Sequence, residues 1–270
     1  MTQSTATRPG ARLRTFEWPA FAGVVVREFL LYKRYWVSTT FAAIIEPAVM
    51  LLAFGFGFGA LVSQVGGHDY IDYVGTGVVA VATLFTSVFT GMFDTFVRRT
   101  YQHVYDAILA APVDVHELVT AGGTWIGLKA GVYGSVPLLV AMLFGLPPSW
   151  GMLVVPVVTF VTGFGFALFG IAMSATAKSF DHFNYIIAGV VTPLFLLAGT
   201  FFPVTGPDMA QWVSLVAQVN PLYHCVQLVR DAVFGTAQAL PDLLHALALI
   251  FFAALMWGLA IYRMRSKLID

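Results

Sequence analysis

The residues that could carry chemistry are concentrated in residues 91–117, a polar stretch between two long apolar segments. Its ionisable side chains have both signs: Asp94, Arg98, Arg99, His103, Asp106, Asp114, His116 and Glu117. A bilayer core does not accommodate such a cluster, because every charge would lose its hydration. Apolar residues inside it recur at spacings of three and four, which predicts a short amphipathic helix ending before Pro112: Tyr101, Val104, Tyr105, Ile108 and Leu109. Outside the bilayer, such a helix is suited to docking against a partner.

Two other motifs begin like catalytic or nucleotide-binding sequences, but neither is complete. His116-Glu117 opens a zinc-protease pattern, yet position 120 is Thr where the second His ligand would stand. Residues 122–129, GGTWIGLK, are glycine-rich but lack the Gly-Lys-Ser/Thr ending of a phosphate-binding loop. We therefore expect no catalytic residue, no metal site and no cofactor site in this chain.

The composition places the chain among integral membrane proteins. Of its 270 residues, 59% are hydrophobic and only 10% are charged, which lies outside the usual range of soluble domains. The formal net charge is zero, so nothing suggests a nucleic-acid partner. A single cysteine, Cys225, excludes an internal disulfide and a thiolate zinc site.

Six apolar segments are long enough to cross a bilayer at about 20 residues per crossing. They are residues 38–62, 74–97, 118–145, 151–177, 183–202 and 243–262. Residues 1–15 are predicted to be a disordered tail, and residues 16–36 an amphipathic helix lying along the membrane interface. Residues 203–242 contain two shorter apolar pieces, about 209–219 and 222–234, separated by prolines at 203, 207 and 221. We expect these pieces to form re-entrant or interfacial helices on the outer face.

The distribution of Lys and Arg predicts the orientation of the chain. With the N-terminus in the cytoplasm, twelve basic residues lie on the cytoplasmic side and the outer loops keep only Arg230. Six crossings then put both termini in the cytoplasm, together with the polar stretch at residues 91–117. The fold class expected is an all-α integral membrane protein with a single domain from residue 16 to residue 270.

Two ionisable residues, Glu46 and Lys129, fall well inside predicted spans. A charge at the bilayer centre costs on the order of 2.5–3.5 kcal/mol, so each side chain should face protein or water. Counted at about 1.5 Å per residue from the predicted span starts, Glu46 lies about 12 Å deep and Lys129 about 16 Å. Similar depths lead to the hypothesis of an ion pair or water-mediated contact between them. The alternative is that Lys129 extends to the membrane surface and Glu46 stays neutral and bonded locally.

Two further pairs of charged residues have local interpretations. Asp94 and Arg98 are spaced i, i+4 where the second predicted span ends, which predicts a contact that braces that helix end. Arg230 and Asp231 stand in the outer segment before the last span. They are candidates for contact with a substrate headgroup, or for orienting the re-entrant segment through local hydrogen bonds.

Three pieces of the sequence resemble the permease subunits of ABC-2-type exporters, and among them the NodJ-like branch. The first is YDAILAAP at residues 105–112, similar to the family's cytoplasmic stretch between its second and third spans. The second runs from TPLF at residues 192–195 to GTFFP at residues 199–203, similar to the end of the family's fifth span. The third is Pro221-Leu222-Tyr223-His224 followed by Arg230, similar to the later half of the family's signature, whose earlier half has no match here.

The resemblance covers nearly the whole chain and implies a half-transporter. Permeases of this family pair, so we expect a homodimer with two copies of a separate ATP-binding subunit, which holds ATP and Mg²⁺. Contacts with that subunit are expected from a coupling helix at about residues 99–110 and from the N-terminal interfacial helix at about residues 16–35. The candidate coupling residues are Arg98, Arg99, His103, Tyr105, Asp106, Arg27 and Glu28.

The resemblance also implies a substrate class and a location. The expected substrate is an amphiphile, such as a lipid-linked or lipid-modified saccharide, that leaves the cytoplasm or the inner leaflet of a bacterial inner membrane. Efflux of hydrophobic drugs is the alternative within the family. From other classes, an ATP-independent channel and a lipid-modifying intramembrane enzyme using His116, Glu117 or His182 remain open at this point.

Overall fold

A computed structural model describes residues 16–59, 61–62, 64–205 and 209–269. The predicted tail at residues 1–15 and the predicted break at Pro207 lie outside these residues. The described part is helical except for one short hairpin, and ten helices are named here in chain order. They are α1 (Trp18–Tyr32), α2 (Trp36–Gly59), α3 (Tyr70–Thr100), α4 (Val104–Leu109), α5 (Val115–Leu143), α6 (Trp150–Thr176), α7 (residues 181–196), α8 (Gln211–Val219), α9 (Pro221–Phe234) and α10 (Ala239–Leu268).

The hairpin joins α2 to α3. Its strands, β1 (Gln64–Val65) and β2 (His68–Asp69), pair antiparallel. The two residues between them, Gly66 and Gly67, have φ of +61° and +83°, which is the backbone that a tight two-residue hairpin turn requires. The hairpin therefore forms the last part of this connection and leads directly into α3.

Five of the described helices are long and apolar enough to cross a membrane, namely α2, α3, α5, α6 and α10. Each overlaps one of the predicted spans. The remaining predicted span, residues 183–202, contains α7, whose helical residues run from 181 to 196. The chain then turns at residues 197–202, where Gly199 has a φ of +79° that ends regular helix.

The amphipathic helix in the polar stretch is shorter than expected. The sequence predicted a helix at about residues 99–110, but α3 continues to Thr100 and α4 covers only Val104–Leu109. His103 separates the two helices because it adopts a left-handed conformation with a φ of +51°. Tyr101 therefore lies in the turn and not on the helix.

The core centres on α6, which packs against α3, α5 and α10. The crossing of α3 and α6 is close because glycine stands on both helices. A Cβ atom on Gly91 would lie 2.5 Å from the carbonyl oxygen of Ala167, and one on Gly170 would lie 2.7 Å from that of Val88. A π-helical turn, Thr90–Asp94, interrupts α3 at this crossing. Such turns often occur at functional sites, and this one directly precedes the charged residues at the end of α3.

Candidate functional site

Glu28 on α1 and Arg98 on α3 form a buried ion pair. Nη1 of Arg98 lies 2.8 Å from both carboxylate oxygens of Glu28. Glu28 is only 4% exposed, and its Oε1 also accepts a 2.7 Å hydrogen bond from Nη1 of Arg27. One carboxylate therefore receives two guanidinium groups. Because a charge left unpaired in such a site is strongly destabilising, this contact fixes α1 against the end of α3.

Six helices meet at a small cavity beside this ion pair. The cavity has a volume of about 20 Å³, enough for one water molecule. Glu28, Arg98, Tyr105 from α4 and Lys129 from α5 contribute polar groups to its wall, and Ile171 of α6 and Met264 of α10 complete it. We call Glu28, Arg98, Tyr105 and Lys129 the junction cluster. It connects the short helix α4 to the helices that form the membrane domain.

α4 has one side facing the junction cluster and one facing solvent. Tyr105 points inward, is 9% exposed and lines the junction cavity together with Thr95 of α3. Burial raises the pKa of Tyr105, so its hydroxyl stays protonated at neutral pH. Outward, Nδ1 of His103 lies 3.0 Å from Oδ2 of Asp106, and both side chains are more than 60% exposed. This His103 and Asp106 pair is accessible to a partner.

Arg99 has a different structural role from the neighbouring Arg98. Its Nη2 donates to the carbonyl oxygens of Ser174 at 2.9 Å and Ala177 at 3.3 Å, and its guanidinium lies 5.6 Å from the Phe96 ring centroid. These carbonyls belong to the C-terminal end of α6, where a cation favourably meets the negative end of the helix dipole. Arg99 therefore joins α3 to α6.

Five of the seven predicted coupling residues thus divide into two groups. His103 and Asp106 lie on the solvent-facing side of α4 and are free to meet another subunit. Glu28, Arg98 and Tyr105 lie inside the protein and hold its helices together. The predicted Asp94 to Arg98 contact is not among the ion pairs of the described residues, since Arg98 pairs with Glu28 instead.

The structure does not bring Glu46 and Lys129 together. Thr40, near the start of α2, hydrogen-bonds Tyr133 of α5 at 2.8 Å. Lys129 lies four residues before Tyr133, and Glu46 lies six residues beyond Thr40, so about 15 Å along the helix axes separates them. Lys129 faces the junction cluster, whereas Glu46 is exposed and lines another cavity. The prediction that Glu46 and Lys129 lie at similar depths was wrong, because α5 begins well before the level at which α2 begins.

The Glu46 cavity lies between α2 and α3 and has a volume of about 350 Å³. Its wall combines the carboxylate of Glu46 and the hydroxyls of Thr86 and Tyr133 with the aromatic rings of Phe85 and Phe89. Such a lining offers both hydrogen-bonding groups and apolar faces. It therefore suits a molecule that is itself part polar and part apolar.

Arg230 holds the turn that follows α7. It is 8% exposed, and its Nη2 donates to the carbonyl oxygen of Gly199 at 2.7 Å and to that of Thr200 at 3.3 Å. Its guanidinium stacks on the Tyr73 ring, 3.6 Å from the centroid, and the Tyr73 hydroxyl donates to the same Gly199 carbonyl at 3.1 Å. Burial lowers the pKa of Arg230 to about 10, so it stays charged at neutral pH. Of the two roles considered for Arg230, these bonds favour orientation of the outer segment through local hydrogen bonds over contact with a substrate headgroup.

The rest of the outer motif links α8, α9 and α10. Asn220 caps α9 by accepting from the Leu222 amide at 2.9 Å, and Pro221 occupies the first helical turn, where no amide proton is needed. Nδ1 of His224 lies 2.7 Å from Nδ1 of His245 on α10, and its Nε2 lies 2.9 Å from the Gln218 carbonyl. Burial lowers the pKa of His224, and His245 adds to this effect.

The residues proposed for an intramembrane enzyme are dispersed and engaged in other contacts. Glu117 is 2% exposed and caps α5, and its Oε1 accepts the Glu17 amide at 2.9 Å. His116 lies between the rings of Phe16 and Trp257, and His182 contacts Ser179. Within the described ranges, no group of three or more His, Cys, Asp or Glu side chains is arranged to hold a metal ion.

Sequence reasoning missed the partner of Glu28 and the contribution of Lys129 to the junction cluster. Glu28 and Arg98 are 70 residues apart, so no local spacing indicates their contact. The available signal was indirect: Glu28 stands among apolar residues in α1, and a charge in such a place requires a partner.

Comparison with known proteins agrees with this architecture. The ABC-2 type transporter family matches residues 19–234 of the chain. The chain is 28% identical to nodulation protein J of Sinorhizobium fredii over 250 residues, which is 90% of this chain and 92% of that protein. It is 28% identical to nodulation protein J of Rhizobium meliloti, over 90% of this chain and 91% of that protein.

A further relative comes from a different group of bacteria. The inner membrane transport permease YadH of Escherichia coli is 25% identical over 222 residues, or 81% of this chain and 84% of that protein. The family match covers most of the chain, including α1, the junction cluster residues and the outer motif up to the end of α9. The chain belongs to the ABC-2 type transporter family and is a transmembrane permease of that family.

Proposed function

We propose that this chain is the membrane subunit of an ATP-driven exporter that moves an amphiphilic substrate, such as a lipid-linked saccharide, out of the cytoplasm. The observation that supports this best is the construction of α4. On one side of α4 the His103 and Asp106 pair is exposed. On the opposite side Tyr105 belongs to the junction cluster. A subunit docked on the exposed side can therefore displace groups that bind α1, α3 and α5 together.

The proposed assembly has two permease chains and two ATP-binding subunits, and ATP and Mg²⁺ bind to the latter. Closure of the ATP-binding subunits would push α4, α1 and the end of α3 as one body, because Glu28 ties α1 to Arg98 of α3 and Tyr105 of α4 lies in the same cluster. The tilt of these helices would open a path between the two membrane domains. The exposed cavity lined by Glu46 and by aromatic rings supports an amphiphilic cargo.

The proposed topology has residues 16–270 in one membrane domain with six crossings, α7 being the fifth of them in chain order. Its 16 helical residues span about 24 Å, and the turn at residues 197–202 completes the crossing. Both ends of the chain then face the cytoplasm of a bacterium. The basic residues Arg263, Arg265 and Lys267 at the end of α10 lie on the same side as α1 and α4 in this arrangement, as positive-inside topology requires.

Isolation of the tagged chain from its native membrane in mild detergent tests this function. We expect a stoichiometric ATP-binding subunit and ATP hydrolysis in the eluate, and loss of both on the Asp106→Arg substitution. Asp69→Arg is the matched control, because Asp69 is also an exposed aspartate but lies in the hairpin between α2 and α3. An intact chain that elutes alone and without ATPase activity would contradict the proposal.

Substrate class needs a separate measurement. Inverted membrane vesicles that contain the complex should take up a lipid-linked saccharide when ATP is supplied. Replacement of Glu46 by Gln should change the apparent affinity for that substrate more than the maximal rate, because Glu46 lines this cavity and is not among the described residues that line the junction cavity. ATP-driven uptake of hydrophobic drugs without any uptake of saccharide would favour the alternative efflux role.

A further inference from the structure

An apolar groove runs along the surface between α6, α9 and α10. Its volume is about 660 Å³, which lies within the ~300–1,000 Å³ range of small-molecule sites. Aliphatic side chains line most of it, among them Val154, Val157, Leu228, Leu243 and Ile250. Val157 is 61% exposed, and Leu243 and Ile250 are each 54% exposed. Among the described residues, therefore, nothing covers the outward parts of these side chains.

Two carboxylates stand at one end of this groove, Asp231 on α9 and Asp242 on α10. Oδ1 of Asp231 accepts from the Thr236 hydroxyl at 2.7 Å, and Oδ2 of Asp242 accepts from the Gln238 amide at 3.0 Å. Both side chains line the same groove, and their carboxyl groups are close enough to influence each other. Burial raises the pKa of Asp231, and the neighbouring Asp242 raises it further. Two acids held this close repel each other when both are ionised, which a cation between them would relieve.

The cations nearest to these carboxylates are engaged with other groups. Arg230 directs its Nη2 to the carbonyls of Gly199 and Thr200, and His245 contacts His224. No ion pair among the described residues includes Asp231 or Asp242. Oδ1 of Asp242 is closed off from solvent and has no hydrogen-bond donor within the part of the chain that the structure describes. A group with N–H donors and a positive charge would satisfy this oxygen and offset the charge of both carboxylates.

The position of the carboxylates relates them to the lipid headgroups. Asp242 lies in the first turn of α10, which is long enough to cross the membrane, so it is level with the interface. Ile250, at the other end of the groove, lies eight residues further on, or about 12 Å deeper along the helix. The groove thus runs from the headgroup level into the acyl-chain region.

We propose that this groove binds a phospholipid with a primary amine headgroup, phosphatidylethanolamine, with one acyl chain along the groove and the ammonium between Asp231 and Asp242. An ammonium supplies three N–H donors and a positive charge, so it can reach both carboxylates with charge-assisted hydrogen bonds. Phosphatidylcholine has the charge but no N–H donor, and phosphatidylglycerol has only a negative charge. Selectivity for the amine follows from the carboxylates, and binding of the tail follows from the groove. The site is independent of ATP-driven export.

Native mass spectrometry of the delipidated, tagged chain with added lipid tests this proposal. Phosphatidylethanolamine should bind about tenfold more tightly than phosphatidylcholine or phosphatidylglycerol of the same acyl chains. The double substitution Asp231→Asn and Asp242→Asn should abolish that preference while keeping the acceptors for Thr236 and Gln238. Asp69→Asn is the matched control and should leave it unchanged, because Asp69 lies in the hairpin and not at the groove.

A second variant separates the tail from the headgroup. Ala246→Phe places a ring in the groove, so it should weaken binding of all three lipids while the protein stays monodisperse. Equal binding of the three lipids to the unaltered chain would overturn the proposal, as would a preference for phosphatidylethanolamine that survives both Asp→Asn changes. Each result is read on the permease alone, so it stands whether or not an ATP-binding subunit is found.

Discussion

Two arginines, Arg98 partly buried and Arg230 buried, hold the two ends of α3 in different ways. Near its end, Arg98 pairs with the carboxylate of Glu28, a side chain on another helix. Near its start, Arg230 of α9 stacks on the ring of Tyr73 and donates to the backbone carbonyl of Gly199. Its partners are therefore an aromatic ring and the backbone, not a carboxylate. Backbone carbonyls cannot move away without unfolding the turn, whereas a side-chain ion pair can shift as a unit. The comparison indicates a movable junction near α4 and a rigid clamp at the other end.

The largest effect on stability is expected at the junction. Glu28→Ala leaves Arg27 and Arg98 without their shared carboxylate and should lower the free energy of unfolding by about 3 kcal/mol, the low end of the range for a buried pair, because both guanidinium groups are partly exposed. Denaturant-induced unfolding in detergent measures this loss. The reciprocal exchange, Glu28→Arg with Arg98→Glu, should recover part of it, because the pair is re-formed with reversed polarity. Full stability of the Glu28→Ala protein would show that the ion pair does not hold α1.

The clamp should be the next most sensitive position. Arg230→Met removes the donor to the Gly199 and Thr200 carbonyls and should cost about 1.5–3 kcal/mol, the range for hydrogen bonds from a charged group. Arg230→Lys keeps the charge but loses the planar guanidinium on Tyr73, so its loss should be smaller. Proteolysis of the turn at residues 197–202 should accelerate more in the Met variant than in the Lys variant. An unchanged cleavage rate in the Met variant would remove Arg230 from the clamp.

The sequence predicted the role of the arginine at one end of α3 better than at the other. Arg230 stood out as the one basic residue of the outer loops, and local orientation was one of two roles considered for it. The bonding of Arg98 was not predictable, because the nearest acidic residue in sequence, Asp94, suggested an i, i+4 contact. Pairing with Glu28 depends on how α1 packs across α3, which no local pattern encodes.

Long apolar segments predicted most of the membrane helices because length and composition alone decide whether a helix can cross. The end of α7 was missed because the left-handed Gly199 and the Arg230 clamp are tertiary features. The amphipathic pattern located α4, but not its start, since the left-handed His103 replaces a helical turn. The predicted contact between Glu46 and Lys129 was wrong for another reason. How far one helix is shifted along its neighbour is set by packing, which the sequence of either helix does not show.

A smaller effect should follow from filling space beside the clamp. A Cβ on Gly77 would lie 2.6 Å from the carbonyl oxygen of Thr200, so Gly77→Ala should cost about 1–3 kcal/mol through overpacking. Gly258→Ala on α10 is the matched control, because its Cβ would meet nothing within 4 Å. The control should be neutral or stabilised by up to about 1 kcal/mol, since alanine favours helix. Equal effects of the two substitutions would argue against a tight α3 contact at the turn.

The smallest effect on stability should come from the solvent-facing side of α4. Asp106→Ala breaks an exposed contact with His103 and should change the free energy of unfolding by less than about 1 kcal/mol. The same variant should nevertheless bind the ATP-binding subunit more weakly, measured by retention on immobilised permease. A loss of stability as large as that of Glu28→Ala would mean that α4 supports the fold and is not free to meet a partner.

Site-directed cross-linking gives the most direct test of α4 as the contact with an ATP-binding subunit. The chain has one cysteine, Cys225, which is fully buried, so a cysteine introduced at position 106 becomes the accessible thiol for a photoreactive maleimide. We expect Asp106→Cys to give an adduct with a nucleotide-binding protein in native membranes, and Asp69→Cys, in the hairpin, to give none. No adduct from position 106, or equal adducts from both positions, would contradict the assignment of α4 as the coupling helix.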